Sequence, residues 1–371
     1  MTEPPRILIV TAAFGEGHNS AAKNLGIALT SLGCLTRVAD PCLLGSPGLT
    51  WLLSLGYRIV TTRMPGLWAM IYRSTDRCDF RRRRSPIMRL PERALGELID
   101  DFQPSVLVCT YPLYPYFLKR IPQGIRHDIP VITAVTDSIE INAAWLRSPS
   151  DAFLVSDEGT RDAMEQWGIP AGRLVTTGFP VNPAFAKLKS IPADDPCETF
   201  RVLYFPTANP VLLTKHGRAL LDASPKVRLT IILGRSVRRL ARRAKRLKKQ
   251  YPGRVRLIGW TKRVPHYLSR HHLTVGKAGG ATVHEAIAAR CPMLIHHLVP
   301  GQEEGNLSLL ESIGGGSLAN TPQTLGRRVG ELLARDAAGW RAMKQALIDH
   351  DRNDGAEQAA RFIMKQIPPA P

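Results

Sequence analysis

Short apolar runs alternate with segments of helical periodicity along most of the 371-residue chain. Continuous apolar runs of this kind are typical of buried parallel strands. Alternating strands and helices predict an α/β fold with a doubly wound parallel sheet. The runs form two series, which predict two Rossmann-like domains facing a cleft. The predicted strands of the first series are Arg6–Val10, Val106–Thr110, Val131–Asp137 and Ala152–Ser156. Those of the second series are Arg201–Phe205, Leu229–Gly234, Val255–Gly259, Leu273–Lys277 and Met293–His296.

The domain boundary is expected near Gly178–Pro183 or in the turn-rich segment Ser190–Glu198 that follows. Gly178 and two prolines occur within six residues, and such a segment suits a hinge better than a core strand. This gives an N-terminal domain over residues 1–182 and a C-terminal domain over residues 183–350. We expect residues 351–371 to form a helix and a tail that packs back on the N-terminal domain. Helices are predicted over Asn19–Ser31 and Pro91–Phe102 between the first strands.

Charge restricts the kind of partner. Lys and Arg number 50 against 31 Asp and Glu, a formal net charge of +19, which favours nucleic acid, an anionic membrane or a phosphate-bearing substrate. Nine cations fall within Arg235–Lys249. A nucleic-acid-binding protein would interleave aromatic residues with such a run for base stacking, and none occurs there. Nucleic acid is therefore the weaker interpretation.

Cysteine spacing and hydropathy restrict the cellular environment in which the protein is expected. The six cysteines show no C-x-x-C spacing, which argues against a disulfide framework or a structural zinc site. The N-terminus lacks the apolar region of a signal peptide, and no apolar stretch reaches the length of a transmembrane helix. We expect a reduced cytosolic protein.

Leu49–Arg73 combines aromatic and aliphatic residues with arginines and leads into a purely basic run. One interpretation is a pair of core helices followed by a solvated charge run. The other is an interfacial patch that meets anionic lipid. The patch residues are Trp51, Trp68, Tyr72, Arg81, Arg82, Arg83 and Arg84.

The turn after the first predicted strand carries Gly17, a candidate donor-binding residue, and His18 just before a helix. Asn19 or Ser20 is the expected cap of that helix. Doubly wound sheets bind ligands at the carboxyl ends of their strands. His18 is therefore a candidate general base. Asp137, at the end of another predicted strand, is expected either to orient that imidazole or to be the base itself.

The turn after Lys277 has the features of a phosphate site. Gly279, Gly280 and Thr282 precede a helix expected to start near Val283, whose first N–H groups attract anions. Glu285, on the expected first turn, is a candidate acceptor for ribose hydroxyls. The segment after the next strand, with Gln302, Glu303 and Asn306, has the directional polar groups that a sugar requires.

These motifs resemble those of the glycosyltransferases that make glycosyldiacylglycerols: plant-type monogalactosyldiacylglycerol synthases and bacterial processive diacylglycerol glucosyltransferases. The family pattern K-x-G-G/P-x-T-x-x-E-A followed by P-G-Q-E-x-x-N matches residues 277–286 and 300–306. G-x-G-H-x-x-A-A matches residues 15–22, Y-x-x-T-D residues 72–76 and T-D…W residues 136–145. V-x-G-x-P-V corresponds to residues 176–181, with Thr176 at the valine position. Asn142 also departs from the pattern, because it stands where relatives have histidine, and Phe205–Pro210 lacks their glycines.

The resemblance implies a GT-B fold and an inverting transfer of a hexose from a UDP-sugar to a lipid hydroxyl, diacylglycerol in the first place. It implies a peripheral enzyme on the cytoplasmic side of the cell membrane. No strand-end D-x-D occurs, so the diphosphate is expected to be neutralised by the helix dipole and basic residues, with no metal and no cofactor. A more distant relative, the transferase that adds N-acetylglucosamine to lipid-linked muropeptide, makes a polyprenyl-linked acceptor the alternative. The particular hexose and the oligomeric state stay open.

Overall fold

The computed structural model describes residues 3–12, 16–75, 86–121, 129–301 and 303–368. The chain divides into two compact units. Unit 1 comprises Met1–Pro183, Val299–Gly305 and Asp354–Pro371, and unit 2 comprises Ala184–Leu298 and Asn306–Asn353.

Six strands and eight α-helices are described up to residue 183. In chain order they are β1 (Arg6–Val10), α1 (Glu16–Ser31), β2 (Leu35–Ala39), α2 (Pro41–Gly45), α3 (Pro47–Arg63), α4 (Pro65–Thr75), α5 (Arg89–Phe102), β3 (Val106–Cys109), α6 (Tyr114–Leu118), β4 (Val131–Ala134), α7 (Ala143–Leu146), β5 (Ala152–Val155), α8 (Glu158–Gln166) and β6 (Leu174–Thr176).

The elements after residue 183 repeat this alternation. They are α9 (Ala184–Lys187), β7 (Phe200–Tyr204), α10 (Pro210–Asp222), β8 (Val227–Ile232), α11 (Val237–Gln250), β9 (Val255–Ile258), α12 (Val264–Leu268), β10 (Leu273–Lys277), α13 (Gly280–Ala288), β11 (Met293–His297), α14 (Glu304–Ile313), β12 (Gly316–Leu318), α15 (Pro322–His350), which is broken at residues 334–337, and α16 (Gly355–Lys365).

Each unit contains one six-stranded parallel sheet. The order is β2-β1-β3-β4-β5-β6 in unit 1 and β12-β11-β10-β7-β8-β9 in unit 2. The direction of winding reverses between β1 and β3 and between β7 and β10. In doubly wound sheets the crevice at the carboxyl ends of such a strand pair is where ligands bind. The α/β class and the two doubly wound sheets are confirmed, and these two switch points locate the candidate sites.

The sequence prediction missed three strands, β2, β6 and β12, and all three lie at sheet edges. Central strands are covered on both faces and therefore have continuous apolar runs, whereas an edge strand does not need one. In β2, for example, none of the five residues is fully buried.

Helix α16 belongs to unit 1. Its buried residues Ala356, Ala359, Ala360 and Ile363 join the core that contains Ile7 and Ile9 of β1. Gly355 begins the helix where a Cβ atom would lie 2.2 Å from the carbonyl oxygen of Phe179, so only glycine fits this close approach.

The segment Val299–Gly305 also packs within unit 1, although the sequence prediction placed it in the C-terminal domain. A Cβ atom on Gly305 would lie 1.9 Å from the carbonyl oxygen of Ser138. The backbone approach that this glycine permits explains why the segment associates with unit 1.

Two predicted helix starts are wrong. Helix α1 begins at Glu16, so Asn19 and Ser20 lie inside it and cannot be its cap; the Asn19 side-chain oxygen accepts a hydrogen bond of 3.0 Å from the Thr11 hydroxyl instead. Helix α13 begins at Gly280, so Glu285 lies on its second turn. In addition, β4 ends at Ala134, and Asp137 follows it in a loop.

Candidate active site

His18 lies at the switch point of unit 1, on the first turn of α1. Its Nδ1 atom is 2.8 Å from the carbonyl oxygen of Thr110, which follows β3, and 2.8 Å from the Thr136 hydroxyl oxygen. A carbonyl oxygen can only accept, so Nδ1 carries the proton and Nε2 keeps a lone pair. Burial lowers the pKa of His18 to about 4, with the Thr110 hydrogen bond opposing the shift. The imidazole is therefore neutral near pH 7, in the tautomer that leaves Nε2 basic.

Aromatic rings form the walls around this imidazole. Tyr111 meets it edge-on with ring centroids 5.1 Å apart, and the Trp145 ring lies 6.0 Å away. Such apolar surroundings disfavour a charged ring, which is the physical cause of the lowered pKa. Thr110 and Tyr111 were missed by the sequence analysis, since no motif singles out the residues that follow β3.

Asp137 lies next to the same tryptophan. Its Oδ2 atom accepts a hydrogen bond of 2.8 Å from the Trp145 indole N–H and one of 3.3 Å from the Tyr72 hydroxyl. Trp145 thus contacts both candidate catalytic residues. Because Thr110 and Thr136 hold the imidazole, they take the orienting position that the sequence analysis considered for Asp137.

Asn142, which stands at the histidine position of the family pattern, is the N-cap of α7. Its side-chain oxygen accepts a hydrogen bond of 3.0 Å from the backbone N–H of Ala144. Its backbone oxygen accepts one of 2.9 Å from the N–H of Trp145. The residue therefore holds the short helix that carries Trp145.

The aromatic residues expected at a membrane separate into two groups. Trp68 packs edge-on against Tyr57, with centroids 4.9 Å apart, and lies 6.4 Å from the Tyr72 ring. Through Tyr72 this group reaches Asp137. Trp51 is instead 66% exposed. Arg81–Arg84 lie outside the described residues, and so does Gln302.

Trp51 is one of a group of exposed apolar side chains on α3 and α4, which we call the apolar face. Its large side chains are at least 36% exposed, and they are Trp51, Leu52, Leu53, Leu55, Ile59, Met70 and Ile71. No helix in the described part of the chain has both the length and the apolar character needed to cross a bilayer.

The switch point of unit 2 is formed mainly by backbone. Gly279 is the N-cap of α13 in an extended conformation, and no side chain caps the helix. The N–H groups of the first turn, which includes Gly280 and Thr282, therefore lack intrahelical partners. Asn306 supports the turn, because its side-chain N–H donates to the carbonyl oxygen of Ala278 at 3.0 Å. Its Oδ1 atom is buried and has no hydrogen-bond partner among the described residues.

Glu285 lies one turn further along α13. Burial raises the pKa of its carboxyl group to about 7, so it is partly protonated at neutral pH. Across the switch point, the loop after β7 contributes the Thr207 hydroxyl, which is buried and without a partner within the described residues. Sequence reasoning missed Thr207 because the loop lacks the glycines of relatives. His296 fixes this loop by donating from Nε2 to the carbonyl oxygen of Phe205 at 3.0 Å.

Glu303 lies with unit 1 and not with the glycine turn. One of its carboxylate oxygens accepts a hydrogen bond of 2.9 Å from the N–H of Val299, so the side chain closes its own loop. The structure thus brings His18, Gly17, Asp137, Trp68 and Tyr72 together with Glu303 in unit 1. It groups Gly279, Gly280, Thr282, Glu285 and Asn306 in unit 2.

Asp195, Cys197 and His272 come close enough together to suggest a metal site. However, His272 Nδ1 accepts from the backbone N–H of Arg201 at 2.9 Å, so Nε2 carries the proton and donates to Asp195 at 3.1 Å. A neutral imidazole with both nitrogens engaged in this way offers no lone pair to a cation. The cluster is a structural hydrogen-bond network.

Comparisons with known proteins show which families the chain resembles. Residues 47–181 match the model of the monogalactosyldiacylglycerol (MGDG) synthase family. The chain is 22% identical, over 99% of its own length and 96% of the relative's, to a processive diacylglycerol beta-glucosyltransferase of Bacillus subtilis strain 168.

Solved structures give the fold. The chain matches MurG of Acinetobacter baumannii with a TM-score of 0.62 at 15% identity, covering 98% of this chain and 100% of that one. It matches a UDP-glucosyltransferase from Polygonum tinctorium with a TM-score of 0.64 at 11% identity, covering 100% of both chains. The chain is therefore similar in sequence to the diacylglycerol glycosyltransferases over its whole length, as its motifs predict, and it has the GT-B fold.

Proposed function

We propose that the protein transfers a hexose from a UDP-sugar to the hydroxyl of diacylglycerol and forms a β-glycoside. The observation that carries this proposal is the His18 imidazole, neutral and fixed in one tautomer at a switch point, in a chain similar to diacylglycerol glycosyltransferases over its whole length. A transfer of this kind needs a base for the acceptor hydroxyl and a binding site for a diphosphate leaving group.

In the proposed reaction, Nε2 of His18 takes the proton of the acceptor hydroxyl while its oxygen attacks the anomeric carbon. The bond from that carbon to the diphosphate oxygen breaks, and its electron pair leaves with UDP. Attack opposite the leaving group inverts the anomeric carbon, so an α-linked donor gives a β-glycoside. Asp137 accepts a hydrogen bond from Trp145. It either stabilises the positive charge of the protonated His18 ring or serves as the base in place of His18.

The diphosphate is assigned to unit 2. The uncapped N-terminus of α13 offers N–H groups and a positive dipole end, which suit developing negative charge without a metal. Glu285 and Asn306 are assigned to the nucleoside. Gly17, Gln302 and Glu303 keep their assignment to the donor as predictions. Activity that survives a chelator supports this reading, and restoration only by added Mg²⁺ or Mn²⁺ contradicts it.

The acceptor lies in a bilayer, and we assign the apolar face to membrane contact on the cytoplasmic side. Exposed aromatic and aliphatic side chains enter the headgroup boundary, and the following arginines attract anionic lipid. Liposome sedimentation of a Trp51→Ser/Leu52→Ser variant tests this assignment, with Trp167→Ser as the matched control. Trp167 is 72% exposed and lies outside the apolar face.

We expect the double variant to lose vesicle binding and the Trp167 control to keep it. Binding should be stronger to anionic than to neutral vesicles and should weaken in salt, where the Debye length falls to about 3 Å at 1 M. Equal binding to neutral and anionic vesicles contradicts the electrostatic part of the assignment.

The decisive activity test offers labelled sugars from a panel of UDP-sugars to vesicles that contain diacylglycerol. Transfer of glucose or galactose to diacylglycerol supports the proposal and identifies the hexose. Transfer only to a polyprenyl-linked acceptor contradicts it in favour of the muropeptide-type reaction.

A further inference from the structure

The second sheet carries an unusual cationic row at its amino end. In β7 and β8, Arg201 is paired in register with Arg228, and in β8 and β9, Thr230 is paired with Arg256. Because side chains alternate along a strand, these four side chains share one face of the sheet. The opposite face carries core residues of the same strands, such as Val202, Leu229 and Val255.

Such a row is costly in a parallel sheet. Both faces of these sheets are normally covered by helices and lined by apolar residues. Like charges directly opposite each other on neighbouring strands also repel. Three arginines at the second position of three adjacent strands therefore concentrate positive charge on this face, where a bound anion would be stabilised.

The row forms the wall of an open cavity of about 740 Å³. Lys189, Arg254, Arg263 and Arg270 add further positive charge to its lining. Among the described residues that line the cavity, none is Asp or Glu. Cavities of roughly 300–1,000 Å³ are of the size that holds small-molecule ligands.

The floor of the cavity is polar and ordered. His271 donates from Nδ1 to the carbonyl oxygen of Tyr267 at 2.6 Å and accepts at Nε2 from the Thr230 hydroxyl at 2.9 Å. Burial lowers the pKa of His271 to about 4, and the charges of Arg201 and Arg256 act in the same direction.

The cavity also has an unsatisfied polar atom. Nδ1 of His266, a lining residue, is buried and has no hydrogen-bond partner in the described part of the chain. A ring N–H directed at a phosphate oxygen would satisfy it. Tyr267 is the single aromatic among the described lining residues apart from the histidines, so the lining lacks the stacking surfaces that single-stranded nucleic acid requires.

We propose that this cavity is a second anion site, separate from the donor turn, that binds a multiply charged phosphate group. The donor turn follows the carboxyl end of β10, whereas the cavity lies at the amino ends of β7, β8 and β9, about 15 Å away along strands of this length. The phosphate belongs either to a soluble ester or to the headgroup of an anionic phospholipid.

The test uses inorganic pyrophosphate as the probe and the whole chain, with UDP present at saturation so that the donor site is already filled. Calorimetry compares the wild type with Arg256→Gln/Arg263→Gln. These two guanidinium groups form no ion pair or side-chain hydrogen bond within the described residues, so their loss should not unfold the protein. Arg238→Gln/Arg242→Gln, on the exposed basic face of α11, is the matched control with the same change in charge.

We expect the cavity variant to bind pyrophosphate at least about tenfold more weakly than the wild type, since each lost charge-assisted hydrogen bond costs that much. The α11 control should change affinity less than about twofold. The proposal is overturned if the UDP-saturated wild type binds no pyrophosphate, or if the two variants lose affinity equally.

A second arm identifies the source of the phosphate. Both variants are sedimented with phosphatidylcholine vesicles that contain an anionic phospholipid with a phosphomonoester headgroup. Weaker vesicle binding by the cavity variant, with the binding of the α11 control unchanged, assigns the site to a headgroup. Unchanged vesicle binding together with lost pyrophosphate binding assigns it to a soluble ester. Thermal unfolding checks both variants, and the cavity variant should unfold no lower than the wild type because like-charge repulsion is relieved.

Discussion

The two switch points occupy the same place in their sheets but are built from different groups. At β1 and β3 the functional groups are side chains: an imidazole fixed by Thr110 and Thr136, with Trp145 beside it. At β7 and β10 they are mainly backbone N–H groups of an uncapped helix. Side chains can move protons, whereas backbone N–H groups can only stabilise charge. This difference supports the proposal that unit 1 transfers the proton and unit 2 binds the diphosphate.

The largest expected effect is the loss of turnover when His18 is replaced. His18→Gln keeps the approximate size and hydrogen-bonding capacity of the side chain but cannot act as a base near neutral pH. Turnover should fall by about 10²–10⁴, the usual contribution of general acid–base catalysis. UDP binding should be almost unchanged, because unit 2 is assigned to the donor. Steady-state kinetics and calorimetry on the same preparation measure both quantities.

A folded His18→Gln protein with near-normal turnover would remove His18 from the mechanism and leave Asp137 as the candidate base. His18→Ala serves as the harsher companion variant. Thermal unfolding of both separates a catalytic loss from a packing defect, since a merely structural role lowers stability and turnover together.

Asp137 should have the next largest effect. Asp137→Asn keeps the shape but removes the charge that accepts from Trp145, and loss of a charge-assisted hydrogen bond corresponds to about a tenfold to hundredfold loss of turnover. Trp145→Phe removes the same hydrogen bond from the other side. If His18 and Asp137 act as a unit, the double variant loses less than the product of the two single losses. Multiplicative losses in the kinetics contradict that coupling.

Much of this arrangement was predictable from sequence because it depends on local pattern. Central strands such as β1 and β10 are buried over four of their five residues, and their bounds agree with the prediction at both ends. The glycine turn and His18 were likewise visible as motifs. These features depend on residues that are neighbours in sequence.

The rest depends on contacts between residues distant in sequence. The Thr110 carbonyl that fixes the His18 tautomer is 92 positions away, and no pattern around Thr110 reveals it. The segment around Glu303 was assigned to the donor domain by position, whereas a glycine that admits the Ser138 carbonyl places it in unit 1. The cationic row became visible only when strand register placed Arg201 opposite Arg228.

Replacing Glu285 tests the switch point of unit 2, and the expected effect on donor binding is smaller. Glu285→Ala should weaken binding of a UDP-sugar about tenfold by removing contacts with the ribose. Because burial raises the pKa of this carboxyl to about 7, wild-type affinity should rise as pH increases through 7 and the accepting carboxylate forms. Glu285→Gln should show no such rise. A UDP-sugar is preferred to UDP for calorimetry, since its doubly esterified diphosphate does not titrate in this range. Unchanged affinity in Glu285→Ala contradicts the assignment.

The smallest expected effect concerns stability, and its sign differs between the two switch points. Burial lowers the pKa of His18 to about 4 from 6.5, so the unfolded chain binds more protons between these values. The contribution of His18 is therefore complete above pH 6.5 and is lost as pH falls toward 4. Burial raises the pKa of Glu285 from 4.5 to about 7, so its contribution to stability is complete below pH 4.5 and is lost as pH rises through 7.

Denaturant unfolding between pH 7 and pH 5 should show that His18→Gln loses less stability than the wild type on acidification. Glu285→Gln should lose more. Each difference is at most about 1.4 kcal/mol per pH unit. Parallel stability curves for the wild type and both variants would mean that neither group is buried as the structure has it, and the contrast between the two switch points would then lose its electrostatic basis.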